Sequence, residues 1–404
     1  MPGSSSTSEP SPPRAIDRSL SVLALILVAT VTESMFMILP SFVGALGDVL
    51  HLSAQRLGLL GSADLAGIAA STATAAWWLR RVCWRRAVGL SLSVFLLANV
   101  LCIGVRQFEW LLCLRLLTGL SAGAAYVVAL AGLVDTRRVD RNTGLMVCSQ
   151  VVLASLGVYA IDVVPVAWRL DAVYFYILAW LVPTLIVYWW HFPADPGDRP
   201  PASAIDWRRL AAPATAAIVG SGLYFLMIGA VWGYLEGVAR ASGLTLAQTG
   251  EALSLGLVVS LVGSVAATVL GVRFGRAWPL IVTAVFRTAS LYLLTRLGDY
   301  ASPVLPFYLI NAVFQIFWSY VYAYFVIIFN DVDPSGRFVA FFGTSSHLTL
   351  AVGPYVGALL IAGGSYVPLL WFGVITVVLC YVSFLTAVAL NAARQTAGTA
   401  EASA

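Results

Sequence analysis

The chain contains no lysine; all 23 of its basic residues are arginine. Charge of either sign is scarce, at 10% of residues against the ~25% of an ordinary soluble chain, which leaves little ionic surface to face water. Without lysine there is no phosphate-loop lysine and no Schiff-base lysine, so ATP hydrolysis through a P-loop of its own is excluded. Histidine is limited to His51, His191 and His347, and the five cysteines (Cys83, Cys102, Cys113, Cys148 and Cys380) form no C-x-x-C pair. Zinc spacing and a disulfide framework are therefore missing. The chain is therefore expected to hold no metal and no cofactor and to have no enzymatic activity. The net charge of +4 sits in short loops between apolar runs, which makes it a topology signal and not a nucleic-acid footprint.

What the sequence has in quantity is apolar residues, at 60%. A helix crosses ~30 Å of hydrocarbon with ~20 of them. Runs of that kind predict twelve spans: 19–43, 57–78, 87–105, 109–134, 143–165, 171–191, 210–235, 248–271, 277–297, 303–329, 338–362 and 366–390. The expected fold class is an all-α membrane protein with twelve transmembrane helices in two six-helix bundles. Residues 1–18 are rich in Ser and Pro, cannot bury enough apolar surface to fold, and are expected to be a disordered tail. The Pro- and Asp-bearing stretch 193–209 reads as a linker between bundles 19–192 and 210–391, with a second tail at 392–404. If the N-terminus is cytoplasmic, 16 arginines fall on the inside and 5 in outside loops, which predicts a cell-membrane protein with both termini and the linker cytoplasmic.

The two halves echo each other. HLSAQRLGLLGSADLAG (51–67) precedes the second span and LTLAQTGEALSLGLVVS (244–260) the eighth, and both lead to arginine-rich loops, RRVCWRR and RFGR. DRNTG (140–144) and DPSGR (333–337) form a second pair. Six-plus-six repeats are a transporter layout, with the substrate site at their interface.

At these loops the chain resembles the major facilitator superfamily of secondary transporters. Gly271, Arg273, Gly275 and Arg276 are similar to the end of its signature between spans two and three, with Val272 in place of Asp. The first-half copy keeps Arg80, Arg81, Arg85 and Arg86 but has neither Asp nor Gly. Arg115, Gly119 and Gly123 resemble its span-four motif. GPYVG (Gly353, Pro354, Gly357) is similar to the Gly-Pro motif that its antiporters carry on span five; here it lies on span eleven, and span five has none. The resemblance implies alternating access between two bundles, a cavity lined by spans one, four, seven and ten, and a proton-coupling role for Arg115.

Ionisable groups inside spans are costly to place there and mark function. Glu33, 14 residues into the first span, reads as a proton-titrating or cation-binding carboxylate, and Asp64 on span two joins Glu33 and Arg115 as a proton-coupling candidate. Arg287 on span nine reads as a buried pair or a snorkelling side chain, and His347 on span eleven as a hydrogen-bonding group that could also titrate. Asn311, Gln315, Trp318 and Tyr322 follow +4, +3 and +4 steps and so share one face of span ten. With Glu33, Arg115, Tyr126 and Tyr224 they are the substrate-cavity candidates; Trp232 is weaker. Glu236 is an outer-gate candidate, and Arg273, Arg276, Asp331, Asp333 and Arg337 are further gate candidates; the loop bearing Asp331, Asp333 and Arg337 would close the inner gate through ion pairs between the bundles. The expected function is secondary transport of a small organic solute, coupled to protons, by a monomer in the lipid bilayer. The alternatives are a facilitative uniporter of the same fold and a non-transporting membrane receptor.

Overall fold

A computed structural model describes residues 15–194, 207–333, 337–361 and 363–402, without the side chains of 15, 207–211, 337–341, 344 and 397–402. Among the described residues every regular element is a helix. The first span is broken into α1 (Ser19–Thr32), α2 (Ser34–Met37) and α3 (Leu39–Leu50), with Glu33 and Ile38 at the two breaks. The causes are local. Thr32 Oγ1 donates back to the Val28 carbonyl at 2.7 Å, a bond that bends helices. Pro40 has no N–H, so the Phe36 carbonyl four residues earlier loses its donor. It accepts instead from Trp232 Nε1, at 3.1 Å, in the other half of the chain.

The remaining spans are α4 (Ala54–Trp78), α5 (Trp84–Cys102), α6 (Phe108–Val134), α7 (Val139–Asp162) and α8 (Arg169–His191), then α9 (Trp207–Ala241), α10 (Leu246–Leu270), α11 (Ala277–Thr295), α12 (Val304–Val332), α13 (Arg337–Leu360) and α14 (Val367–Ala402). Nine of the described helices are long and apolar enough to cross a membrane unaided; the broken first span, α4 and α13 complete the twelve. Helix α4 is less apolar because Gly, Ala, Ser and Thr fill it for close packing. The two repeat segments start alike. Ser53 accepts from the Arg56 amide at 3.5 Å, and Thr245 and Gln248 form a capping box with bonds of 3.3 and 3.0 Å. The predicted break at Trp168-Arg169 is a short 3-10 turn, Val166–Trp168. Four spans outrun their predicted ends: the first continues to Leu50, the seventh to Ala241, the tenth to Val332 and the last to Ala402.

Large apolar side chains cover the outside, and Trp77, Trp110, Trp168, Trp189, Trp190 and Trp278 stand exposed near helix ends. Tryptophan collects at that depth in membrane proteins, and the chain is a multi-pass membrane protein. Its two ends differ. The helix ends that lead to the linker form one face, the linker face; the turns near 51–53, 103–107, 163–168, 242–245, 296–303 and 363–366 form the opposite, far face. The two halves meet mainly through α4 on α13, α7 on α10 and α3 on α9. Bonds across that seam include Tyr355 N–H to Ser62 Oγ at 3.1 Å and Ser155 to Ser254 at 2.8 Å.

Candidate functional site

Glu33, at the first break of span one, is 4% exposed. Its Oε1 lies 3.3 Å from His347 Nε2 on α13, so the pair bridges the two halves. The other ring nitrogen, Nδ1, is 2.8 Å from the Gly343 carbonyl. A carbonyl only accepts, so Nδ1 carries the hydrogen. The Nε2–Oε1 contact therefore needs one further proton, held either as imidazolium against carboxylate or as neutral imidazole against carboxylic acid. Aromatic rings surround the pair. Tyr126 of α6 stands edge-on to His347 at 5.9 Å, and Tyr126 and Tyr322 both lie in the electrostatic reach of Glu33. Tyr322 packs on Phe225 and Phe342 at 6.4 and 5.5 Å between centroids. One turn from Glu33, a narrow cavity lies between Phe36, Trp232, Leu257, Phe314, Gln315 and Trp318.

Arg115 and Asp64 form a separate centre inside the first half. Arg115 is 0% exposed. Its Nε donates to Asp64 Oδ2 at 2.5 Å and its Nη1 to Asn99 Oδ1 at 3.1 Å, while Thr118 Oγ1 donates to Asp64 Oδ1 at 2.6 Å. The rings of Phe42 and Tyr174 flank the guanidinium at 5.4 and 5.6 Å. Glycines allow this approach: a Cβ on Gly119 would strike the Asp64 backbone carbonyl, and one on Gly123 the Ile68 backbone. The span-four motif thus works as a helix contact that delivers Asp64 to Arg115. As a cavity-lining residue Arg115 is corrected: its charge is enclosed between α4, α5, α6 and α8. The motif also has Gly-x-Ser-x-Gly spacing at 119–123. Ser121 is mid-helix there, bonded to the Leu117 and Thr118 carbonyls at 2.9 Å each, without the strand-to-helix turn a nucleophile elbow needs.

The far face holds an ion cluster of which sequence reasoning found one member, Glu236. Arg169, the first residue of α8, is 0% exposed and reaches Asp48 at 2.8 Å, Glu236 at 2.6 Å, and Asp162. Arg240 reaches Asp48 at 2.9 Å and Glu236 at 3.3 Å. Asp48, Asp162 and Arg169 come from the first half, Glu236 and Arg240 from the second. All five lie within about two turns of a helix end on the same face, which is the pattern a sequence could have offered. Read one at a time they look like solvated loop charges.

The linker face is different. Asp17 pairs with Arg137 at 3.5 Å, Arg80 with Asp135 at 3.1 Å, and Arg276 with Asp331 at 2.8 Å, each pair within one half. The hydrogen bond to Asp331, outweighing desolvation, raises the pKa of Arg276. The expectation that Asp331 pairs between bundles is corrected for this conformation: its partner Arg276 lies in the loop after α10, which folds onto the end of α12 beside it. Arg273 is exposed, Asp333 is half-buried, and the Arg337 side chain lies outside the described residues.

On α12 the predicted stripe divides. Asn311 Nδ2 donates to the Ala252 carbonyl at 2.8 Å and is a helix contact. Gln315 and Trp318 line the cavity, and Tyr322, 44% exposed, stands by Glu33. Tyr224 is fully buried and does not line the cavity; Trp232 does. Arg287, also 0% exposed, packs on Phe314 and Tyr224 at 4.0 and 5.1 Å and donates to the Phe314 carbonyl at 3.1 Å. No carboxylate joins it among the described residues, so it is buried against rings and a carbonyl, not in the expected ion pair.

No protein-family model matches the sequence, and no curated protein is similar to it by sequence. Solved structures do match in shape. A bacterial homolog of the human lysosomal transporter Spinster, inward-facing and unoccupied, superposes with a TM-score of 0.70 at 15% identity over 96% of this chain and 98% of that one. A D-xylose–proton symporter gives 0.71 at 14% identity over 90% and 96%. The inward-open xylose transporter XylE of E. coli gives 0.68 at 14% identity over 89% and 94%. The chain has their fold, the twelve-helix fold of the major facilitator superfamily.

Proposed function

From that fold, we propose that the chain is a secondary transporter of a small organic solute, coupled to protons, in which residues 19–192 and 210–391 rock about the seam between them. The observation that carries the reading is the Glu33–His347 contact. It joins the halves at the depth of the central cavity, and by its hydrogen-bond inventory it holds one exchangeable proton. A proton bound there favours the arrangement that keeps the pair together, which is what coupling needs. The arginine split supports a cytoplasmic linker face. The far-face cluster is then the closed outer gate, built around Arg169 and Glu236. The linker-face pairs described above each lie within one half. Arg276, Asp331, Asp333, Arg273 and Arg337 remain inner-gate candidates for the opposite conformation.

The test is transport in vesicles, with a solute found by thermal-shift screening, with and without an imposed pH gradient. Glu33→Gln keeps the shape and removes the carboxylate. It is expected to abolish accumulation against the solute gradient. Accumulation at the wild-type rate would overturn proton coupling through Glu33.

A further inference from the structure

We infer that the site takes monovalent organic cations with apolar arms, and that His347 is the resident cation such a solute displaces from Glu33. The inference rests on the transport reading above and names the class of its substrate.

The first observation is where charge is missing. Three arginines are buried at 0% exposure, and none faces the cavity: Arg115 is held by Asp64, Arg287 lies against Phe314 and Tyr224, and Arg169 is in the far-face cluster. Among the described residues, an anionic solute would meet the Glu33 carboxylate with no guanidinium beside it to receive it. Desolvating an unpaired anion beside a carboxylate is doubly unfavourable. The second observation is the wall. The rings of Tyr126, Tyr322, Phe36, Trp232, Phe314 and Trp318 stand around Glu33 and the adjoining cavity. Ring faces are the negative ends of aromatic quadrupoles, and they attract cations while accepting apolar arms.

The third observation is the proton inventory of the pair. With Nδ1–H committed to the Gly343 carbonyl, the imidazolium form of His347 is a cation docked on the Glu33 carboxylate. An incoming cation takes its place beside Oε1. The Nε2–H···Oε1 bond breaks, Nε2 gives its proton to cavity water, and the imidazole is left neutral. One positive charge enters, one leaves, and the charge of the site is unchanged. The titratable groups that face Glu33 from the packed elements are Tyr126 on α6, Tyr322 on α12 and His347 on α13. Of these three, histidine is the type that changes charge near neutral pH.

The experiment uses the purified full chain and two probes of equal shape and opposite charge, tetraphenylphosphonium and tetraphenylborate. A ligand that binds the folded state raises its melting temperature. Tetraphenylphosphonium should raise it, more at about pH 8 than at about pH 5.5 as the competing imidazolium is lost; tetraphenylborate should not. His347→Ala should bring the acid-side shift up to the alkaline one, and Glu33→Gln should remove it. His347→Gln repeats the test should the alanine variant fold poorly, which the melting temperature without probe reports. Equal shifts for the two ions, a larger shift for the borate, no shift for either, or a pH dependence that survives loss of His347 overturns the cation assignment. None of these outcomes touches the vesicle test of proton coupling, and failure of that test leaves the charge preference standing.

Discussion

At the scale of single residues, the Asp64–Arg115 centre makes the sharpest stability prediction. Arg115 is enclosed, so removing its partner strands a guanidinium in a low-dielectric interior. Breaking a buried pair from one side costs about 3–5 kcal/mol. Asp64→Ala is expected to lose stability of that order, read by denaturation of the purified protein. The double variant Asp64→Leu with Arg115→Met should recover most of it, because no charge is then left unpaired. A stable Asp64→Ala would argue instead that the pair exists to titrate. Both residues were legible in the sequence as intramembrane charges, but their pairing was not, since 51 positions separate them. Glu33 and His347 were likewise visible singly. Their meeting depends on how two six-helix halves dock, and no local pattern encodes that. Arg169 was missed for a different reason: it follows a short polar break, and an arginine beside a turn looks solvated until the fold closes over it.

At the scale of elements, spans were well marked by apolar length, because each helix must satisfy its backbone internally in lipid. The contacts between spans were carried by small residues whose purpose the sequence left unstated. Gly119 is the clearest. Its Cα faces the Asp64 carbonyl of α4, and a side chain there would push the two helices apart. Gly119→Val should therefore destabilise the chain and loosen the Arg115 centre together. The check is a lowered melting temperature and faster amide exchange on α4 and α6, with α10–α12 exchanging as before. Unchanged exchange on α4 would mean that the helices do not depend on this approach. The break in the first span was not legible. Its signals, Thr32 and Pro40, sit in a run whose hydropathy is that of an unbroken helix.

At the scale of the whole molecule, the asymmetry between faces predicts which conformation each variant favours. Arg169→Gln leaves Asp48, Asp162 and Glu236 without their shared partner at a seam between the halves. The far face should open more often. Ala358 is 0% exposed, packed where α13 meets Gly58 of α4. Ala358→Cys, read against the parent chain, is expected to react slowly with an impermeant thiol reagent in the wild-type background and several-fold faster with Arg169→Gln. Equal rates would remove the cluster from the gate. The same cluster bears on how turnover responds to temperature. To separate the halves at that end, Arg169 must leave Glu236 before water can reach either ion, so the climb to the transition state is made against unscreened attraction. On the transport proposal, a stroke that opens this face then carries a large enthalpy of activation. Exchange by the wild-type chain should slow steeply on cooling, and the Arg169→Gln chain should give a shallower Eyring slope.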